Sequence, residues 1–251
     1  MSIYYVEGRK AGLKGGVKES HEPRLVMGQF HPHGEPPPAP AEWDGTHGIT
    51  RWGMDGNDQY GCCGAAATDH YNVAAANDTT LIDTLGQPKF DGVLATYFAY
   101  GISQGEPGPE PDQGVENASW LAFLRANGII EGYGEVPLDQ IDRYAVLFGG
   151  LLMAVSLPPN ADSDFEQVPP VAWGSPGEDP DPSMGHDVVF IQYDASGGHV
   201  VTWGGLEPIT PDFIARYVTD CWAIFDSATA REAGFDEAAI TAALDSIGGV
   251  H

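Results

Sequence analysis

The run Asn57-Asp58-Gln59-Tyr60-Gly61-Cys62-Cys63-Gly64-Ala65-Ala66-Ala67-Thr68-Asp69-His70 constrains this chain more than any other. Small and polar residues form a loop that delivers two adjacent cysteines, and an alanine-rich segment follows at once. Alanine is the strongest helix former, so this composition predicts a helix through about Ala76 with Cys63 at its N-terminus. Unpaired backbone N–H groups and the positive end of the dipole at a helix start stabilise a thiolate, the reactive form of cysteine. Gly64 lets another segment approach closely, and the alanines let the helix pack tightly. Two readings stand side by side: a reactive thiol, or a buried cysteine pair inside a small-residue helix.

The second half of the chain supplies a partner for such a thiol. In Met184 to Asp194, Gly185-His186 is followed by an apolar strand. A turn, Ala195-Ser196-Gly197-Gly198, leads into a second strand, His199-Val200-Val201-Thr202-Trp203-Gly204. The two strands make a hairpin with a histidine at its start.

These segments resemble the papain-like cysteine peptidases. In that family an oxyanion-hole glutamine lies six residues before the cysteine. Asn57 holds that place here, with Gln59, four residues back, the weaker alternative. Gly61-Cys62-Cys63 stands where the family has Gly-Ser-Cys, and His186 stands where the catalytic histidine opens its strand. The family's Asn-Ser-Trp-Gly matches Val201-Thr202-Trp203-Gly204. The orienting asparagine thus falls on Val201, which accepts no hydrogen bond, and Thr202 is the nearest polar substitute. The resemblance implies a Cys63–His186 dyad without the usual third member. It places Cys63 Sγ within roughly 4 Å of a His186 ring nitrogen. The helix start implies a thiol pKa well below that of free cysteine.

Helices come first and strands second. Apolar spacing predicts helices over 91–100, 117–127 (stopped by Gly128) and 138–147, then a strand over 151–157. An acidic loop from Pro158 to Met184 follows, expected to form one lip of a cleft with Trp173 as a wall. Thr210-Pro211-Asp212 reads as a helix start, Cys221 to Phe225 as a core strand and Phe235 to Ile247 as a last helix. The fold class is therefore α+β. The resemblance, over about residues 50–226, implies a papain-like two-lobed fold. Its N-terminal helical lobe carries Cys63 on the central helix, and its C-terminal antiparallel sheet lobe carries His186.

Charge sets further bounds. The chain of 251 residues has a formal net charge of −25, which excludes nucleic acid and anionic membrane as partners of the main body. Five of the 11 basic residues, Arg9, Lys10, Lys14, Lys18 and Arg24, lie in the first 24 positions against three glutamates, so that arm is +2 and the remainder −27. A basic arm on an acidic body docks on a partner or back on its own body. The expected organisation is a basic extended arm over 1–24, a proline-rich strap over 25–49 pinned by Trp43 and Trp52, and a papain-like domain over 50–251. There is no apolar leader or span at the N-terminus, and three cysteines make no disulfide framework, which points to a reducing cytoplasm. His31 and His33 lack companions at ligand spacing, so no metal or other cofactor is expected.

Gly56 to Cys63, Tyr97 with Gly101, Asp112-Gln113-Gly114-Val115 and Val201 to Gly204 are also similar to papain-like proteins of actinobacteria and their tailed phages. That resemblance implies bacterial synthesis and a virion-associated role, with residues 1–24 contacting a phage particle surface or other assembly. Two functions remain open. One is an amide-cleaving thiol hydrolase using Cys63, His186, Asn57 and Thr202. The other is a catalytically degenerate structural protein, such as a capsid decoration or minor virion component, anchored by its arm.

Overall fold

The computed structural model of the chain describes residues 9–14, 24–32, 35–75, 92–174 and 177–248. The alanine-rich segment forms the helix α1, Cys63–Ala75, in which every residue except Asn72 and Ala75 is buried. A helix buried on all sides lies between layers of the fold and not on its rim. Its small side chains let the sheet approach from one side and two further helices from the other. These are α2, Val93–Ser103, and α3, Asn117–Ala126. Two polar side chains inside α1, Thr68 and Tyr71, are hydrogen-bonded. Thr68 Oγ1 donates to the Gly64 carbonyl at 2.8 Å and accepts the Trp120 indole N–H at 2.9 Å. The Tyr71 hydroxyl donates to the Phe148 carbonyl at 2.6 Å.

The rest of the chain builds an antiparallel sheet and its outer helices. In order come β1 (Trp43–Asp44), β2 (Gly132–Glu135), α4 (Ile141–Phe148), β3 (Leu151–Ser156) and α5 (Ala161–Phe165). Then follow β4 (Gly185–Asp194), β5 (Gly197–Thr202), β6 (Gly205–Ile209), α6 (Phe213–Tyr217), β7 (Val218–Phe225), α7 (Ser227–Glu232) and α8 (Glu237–Gly248). The strand order is β2-β7-β3-β4-β5-β6, and β1 adds to the far end of β4 through Trp43 and Tyr193. The long strand β4 packs directly on α1. Val188, Val189, Phe190 and Ile191 on β4, Leu151 to Met153 on β3 and Cys221 to Ala223 on β7 are fully buried and form the common core. No helix among the described residues is long and apolar enough to cross a membrane.

Where α1 begins, the two lobes touch. A Cβ on Gly64 would lie 2.3 Å from Val115 Cγ2 and 3.0 Å from Asp187 Oδ2. Gly64 is therefore required for contact between the helix start, the loop before α3 and the start of β4. Three strands and two helices, α5 and α7, escaped the sequence reading. Strand β2 reads Gly-Tyr-Gly-Glu and has no apolar alternation, β6 carries Pro208, and β1 is two residues long. The acidic loop contains α5, and Trp173 is not a cleft wall: it is fully buried and stacks on Phe213.

Gly64→Ala is expected to lower stability by about 1–3 kcal/mol through overpacking, even though alanine is worth ~1 kcal/mol more than glycine inside a helix. Urea unfolding checks this, and an unchanged or raised stability would contradict the close contact.

Candidate active site

The loop before α1 is fixed by turn chemistry and a carboxylate clamp. Asp55 and Gly56 adopt positive φ, of 49° and 86°. The Asn57 N–H bonds to the Met54 carbonyl at 2.7 Å. Asp112 Oδ1 accepts the Gly61 N–H and the Tyr97 hydroxyl, both at 2.8 Å, while Tyr97 accepts the Gly114 N–H at 2.8 Å. This clamp holds the approach to Cys63 and uses the Tyr97 and Asp112 to Gly114 segments that the sequence singled out. Within the loop Asn57 is buried and Gln59 exposed, so only Asn57 belongs to the site.

On the opposite lobe, β4 opens with His186 and β5 ends with Thr202. His186 Nε2 and Thr202 Oγ1 are 2.6 Å apart, so Thr202 fixes the orientation of the ring. Trp203 stacks beside the imidazole, with ring centroids 4.6 Å apart. His186 Nδ1 is buried and has no hydrogen-bond partner. Val201 is fully buried between Val189 and Leu206. His199 pairs with Gln192, well along the hairpin from His186.

No hydrogen bond joins the thiol to this histidine. Cys63 Sγ donates to Asp187 Oδ2 at 3.7 Å, and Asp187 Oδ1 accepts from Asn117 Nδ2 at 2.8 Å. Successive side chains on a strand point to opposite faces. Asp187 is thus the side chain of β4 turned toward the start of α1. The expected low thiol pKa is corrected by the same contact. Burial raises it far above that of free cysteine, and the Asp187 charge adds to the rise; the Asp187 and Gly64 backbone N–H groups pull it down only in part. Cys62, fully buried, is likewise pushed up by burial, to about 12. Burial pushes Asp187 up to about 7 and His186 down to about 3, with the Lys14 charge the next influence on His186. In this state the site holds a neutral thiol and a neutral imidazole.

A segment of the N-terminal arm lies across the same site. The Leu13 N–H donates to the Asn57 carbonyl at 2.8 Å, and Asn57 Nδ2 donates to the Leu13 carbonyl at 3.2 Å and to the Tyr60 carbonyl at 3.0 Å. Gly12 is pinched: a Cβ there would lie 2.6 Å from both the Asn57 carbonyl oxygen and Trp203 Cδ1. Lys14 pairs with Asp162 and lies 5.4 Å from the Trp203 ring centroid. The Ala11 N–H donates to Glu166 at 3.2 Å. Residues 9–14 thus dock on their own body, in part on the acidic loop.

Among solved structures, xylellain, a cysteine protease from Xylella fastidiosa, superposes with a TM-score of 0.62. The match covers 88% of this chain and 98% of that one, at 14% sequence identity. The fold is papain-like. No protein-family model matches the sequence, and no curated protein matches it significantly. The sequence reading named Asn57, Cys63, His186 and Thr202 and did not name Asp187, Asn117 or Leu13, which the structure places in contact with them or with one another. Asn117 lies 70 residues from Asp187 and Leu13 lies 44 from Asn57; no local pattern signals either pairing. The Gly-His-Asp step was the one available hint for Asp187.

Asp187→Asn would place an amide N–H where a carboxylate now faces the sulfur. Cys63 alkylation by iodoacetamide at pH 8 is expected to rise roughly tenfold or more, read by mass spectrometry of the adduct; an unchanged or slower rate would contradict the role given to Asp187. A second expectation concerns stability. Asp187 and Asp69, the latter pushed up to about 8 by burial, keep protons in the folded chain that the unfolded chain has already lost. Above about pH 6.5 the neutral His186 no longer contributes a difference, so the folded state binds more protons and stability falls as pH rises toward 8. Melting curves between pH 6.5 and 8 should show this fall, and Asp187→Asn should flatten it.

Proposed function

We propose that this protein is a thiol hydrolase that cleaves an amide bond in an extended peptide chain, held in a latent state by residues 9–14. One observation carries this reading: a peptide carbonyl, that of Leu13, already accepts from Asn57 Nδ2, the donor assigned to the oxyanion. The arm lies in the cleft as a substrate chain would, with Leu13 largely exposed and polar contacts supplying its hold.

The chemistry follows from the parts. When the arm leaves, Asn57 Nδ2 is released to a substrate carbonyl. Removal of the Lys14 charge raises the basicity of His186, and water entering the cleft relieves the burial that holds Cys63 as a thiol. His186 Nδ1 accepts the Cys63 proton, the thiolate attacks the carbonyl carbon, and Asn57 with the backbone N–H of Cys63 stabilises the oxyanion. The imidazolium returns its proton to the departing amine, leaving a thioester. Water, deprotonated by His186, then releases the acid and the thiol. Thr202 positions the ring throughout.

A second reading draws on the Cys63–Asp187 contact, since a thiol facing a carboxylate is poorly placed for attack. Under it the fold is a scaffold and the protein a structural component of an assembly, such as a phage particle, anchored through residues 1–24. The contacts of residues 9–14 with their own body favour the first reading.

The test uses the full chain carrying Leu13→Pro, which removes the N–H that pairs with Asn57. Incubated with a library of unstructured peptides, this variant is expected to produce fragments faster than the unaltered chain, and adding Cys63→Ala or His186→Ala should abolish them. Thr202→Val should lower kcat by about 10²-fold with little change in KM, and Thr202→Ser should restore it. Absence of any Cys63-dependent cleavage in Leu13→Pro would leave the structural reading standing.

A further inference from the structure

Outside the Cys63 and His186 groups, one buried carboxylate belongs to a set of groups arranged around a cation, the Arg9 guanidinium. Glu207 lies on β6 with its side chain fully buried. Its Oε2 accepts from Arg9 NH2 at 2.8 Å, and its Oε1 is buried with no hydrogen-bond partner. The other Arg9 nitrogens donate to two backbone carbonyls: Nε to Phe165 at 2.6 Å and NH1 to Leu206 at 2.7 Å. Arg9 Cζ lies 3.9 Å from the centroid of the Phe165 ring. Phe165 ends α5, so its carbonyl is one of those a helix leaves without an internal partner. Gly205 opens the site on another side, since a Cβ there would come within 3.2 Å of Arg9 NH1.

Each wall answers one property of a guanidinium. Two carbonyls and a carboxylate match its planar fork of donors, and the ring matches its flat, weakly hydrated face. An ammonium offers neither the fork nor the stacking plane. A buried carboxylate without a cation is costly.

We propose that this pocket is an arginine-binding subsite of the cleft, occupied here by Arg9 of the arm and available to an arginine side chain of a substrate peptide when the arm is displaced. The proposal rests on the reading of the cleft as a peptide site and names its substrate class: chains carrying arginine near the cleaved bond. In the arm, Arg9 stands four positions before Leu13, whose carbonyl contacts Asn57, so both contacts are made by one short stretch of chain. Phe165 packs edge-on against Trp203 with centroids 5.1 Å apart, and Trp203 stacks beside His186. The pocket therefore adjoins the histidine wall of the cleft.

The test reads binding and not cleavage, so it fails separately from the proposed function. The protein is the full chain carrying Arg9→Ala, with Arg9→Met as a second variant that keeps side-chain volume on Phe165. The probes are arginine amide and citrulline amide, nearly isosteric but differing in charge, followed by calorimetry and thermal melting. Arginine amide is expected to bind at least about tenfold more tightly than citrulline amide, the difference that a charge-assisted hydrogen bond supports, and to raise the melting temperature of the variant but not of the unaltered chain. Adding Glu207→Gln should erase the preference. Equal binding of the two amides, no binding of either at millimolar concentration, or a preference that survives Glu207→Gln would overturn the proposal.

Discussion

A buried amide must find acceptors, and the arrangement of the cleft follows from how Asn57 finds them. One acceptor, the Tyr60 carbonyl, belongs to its own loop and fixes the turn that leads into α1. The other, the Leu13 carbonyl, comes from the arm. The backbone of Asn57 completes the pairing by accepting the Leu13 N–H. A single residue thereby joins the loop that presents Cys63 to the segment that covers it. Under the proposed function, the arm occupies the donor, Asn57 Nδ2, that an oxyanion would use.

The thiol shows which effect wins when several act on one group. The helix start lowers the pKa of Cys63, as its position predicts, through backbone N–H groups. That effect is worth a few tenths to about 2 kcal/mol. Burial and a carboxylate 3.7 Å away act in the opposite direction, and charge interactions at that range in a protein interior are larger. The resting site is therefore a protected one. Under the proposed function, departure of the arm is what relieves that burial.

Much of the fold was legible because its signals are local. The alanine run gives α1, the Gly-His step and following apolar residues give β4, and the resemblance over Val201 to Gly204 pointed to Thr202 as the nearest polar substitute beside His186. The parts that were not legible depend on tertiary packing. Trp173 sits in sequence among prolines, glycines and acids, yet it is buried because β6 and α6 close over it. That Asp187 is the side chain of β4 turned toward the start of α1 depends on how β4 is rotated against that helix. The arm's basic charge indicated docking, on itself or on a partner, but only the pinched Gly12 and the Arg9 pocket identify the surface it uses.

The claim on which the account depends is that the arm governs access to Cys63. Gly12→Val tests it most directly, because a side chain at that position collides with Asn57 and Trp203 while leaving the body untouched. The measurement is the rate at which iodoacetamide labels Cys63 at pH 8 in the intact chain and in the variant, with buried Cys221 as the internal reference. The account predicts labelling of Cys63 roughly tenfold faster or more in Gly12→Val, with Cys221 unchanged. Equal rates at Cys63 in the two proteins would contradict it.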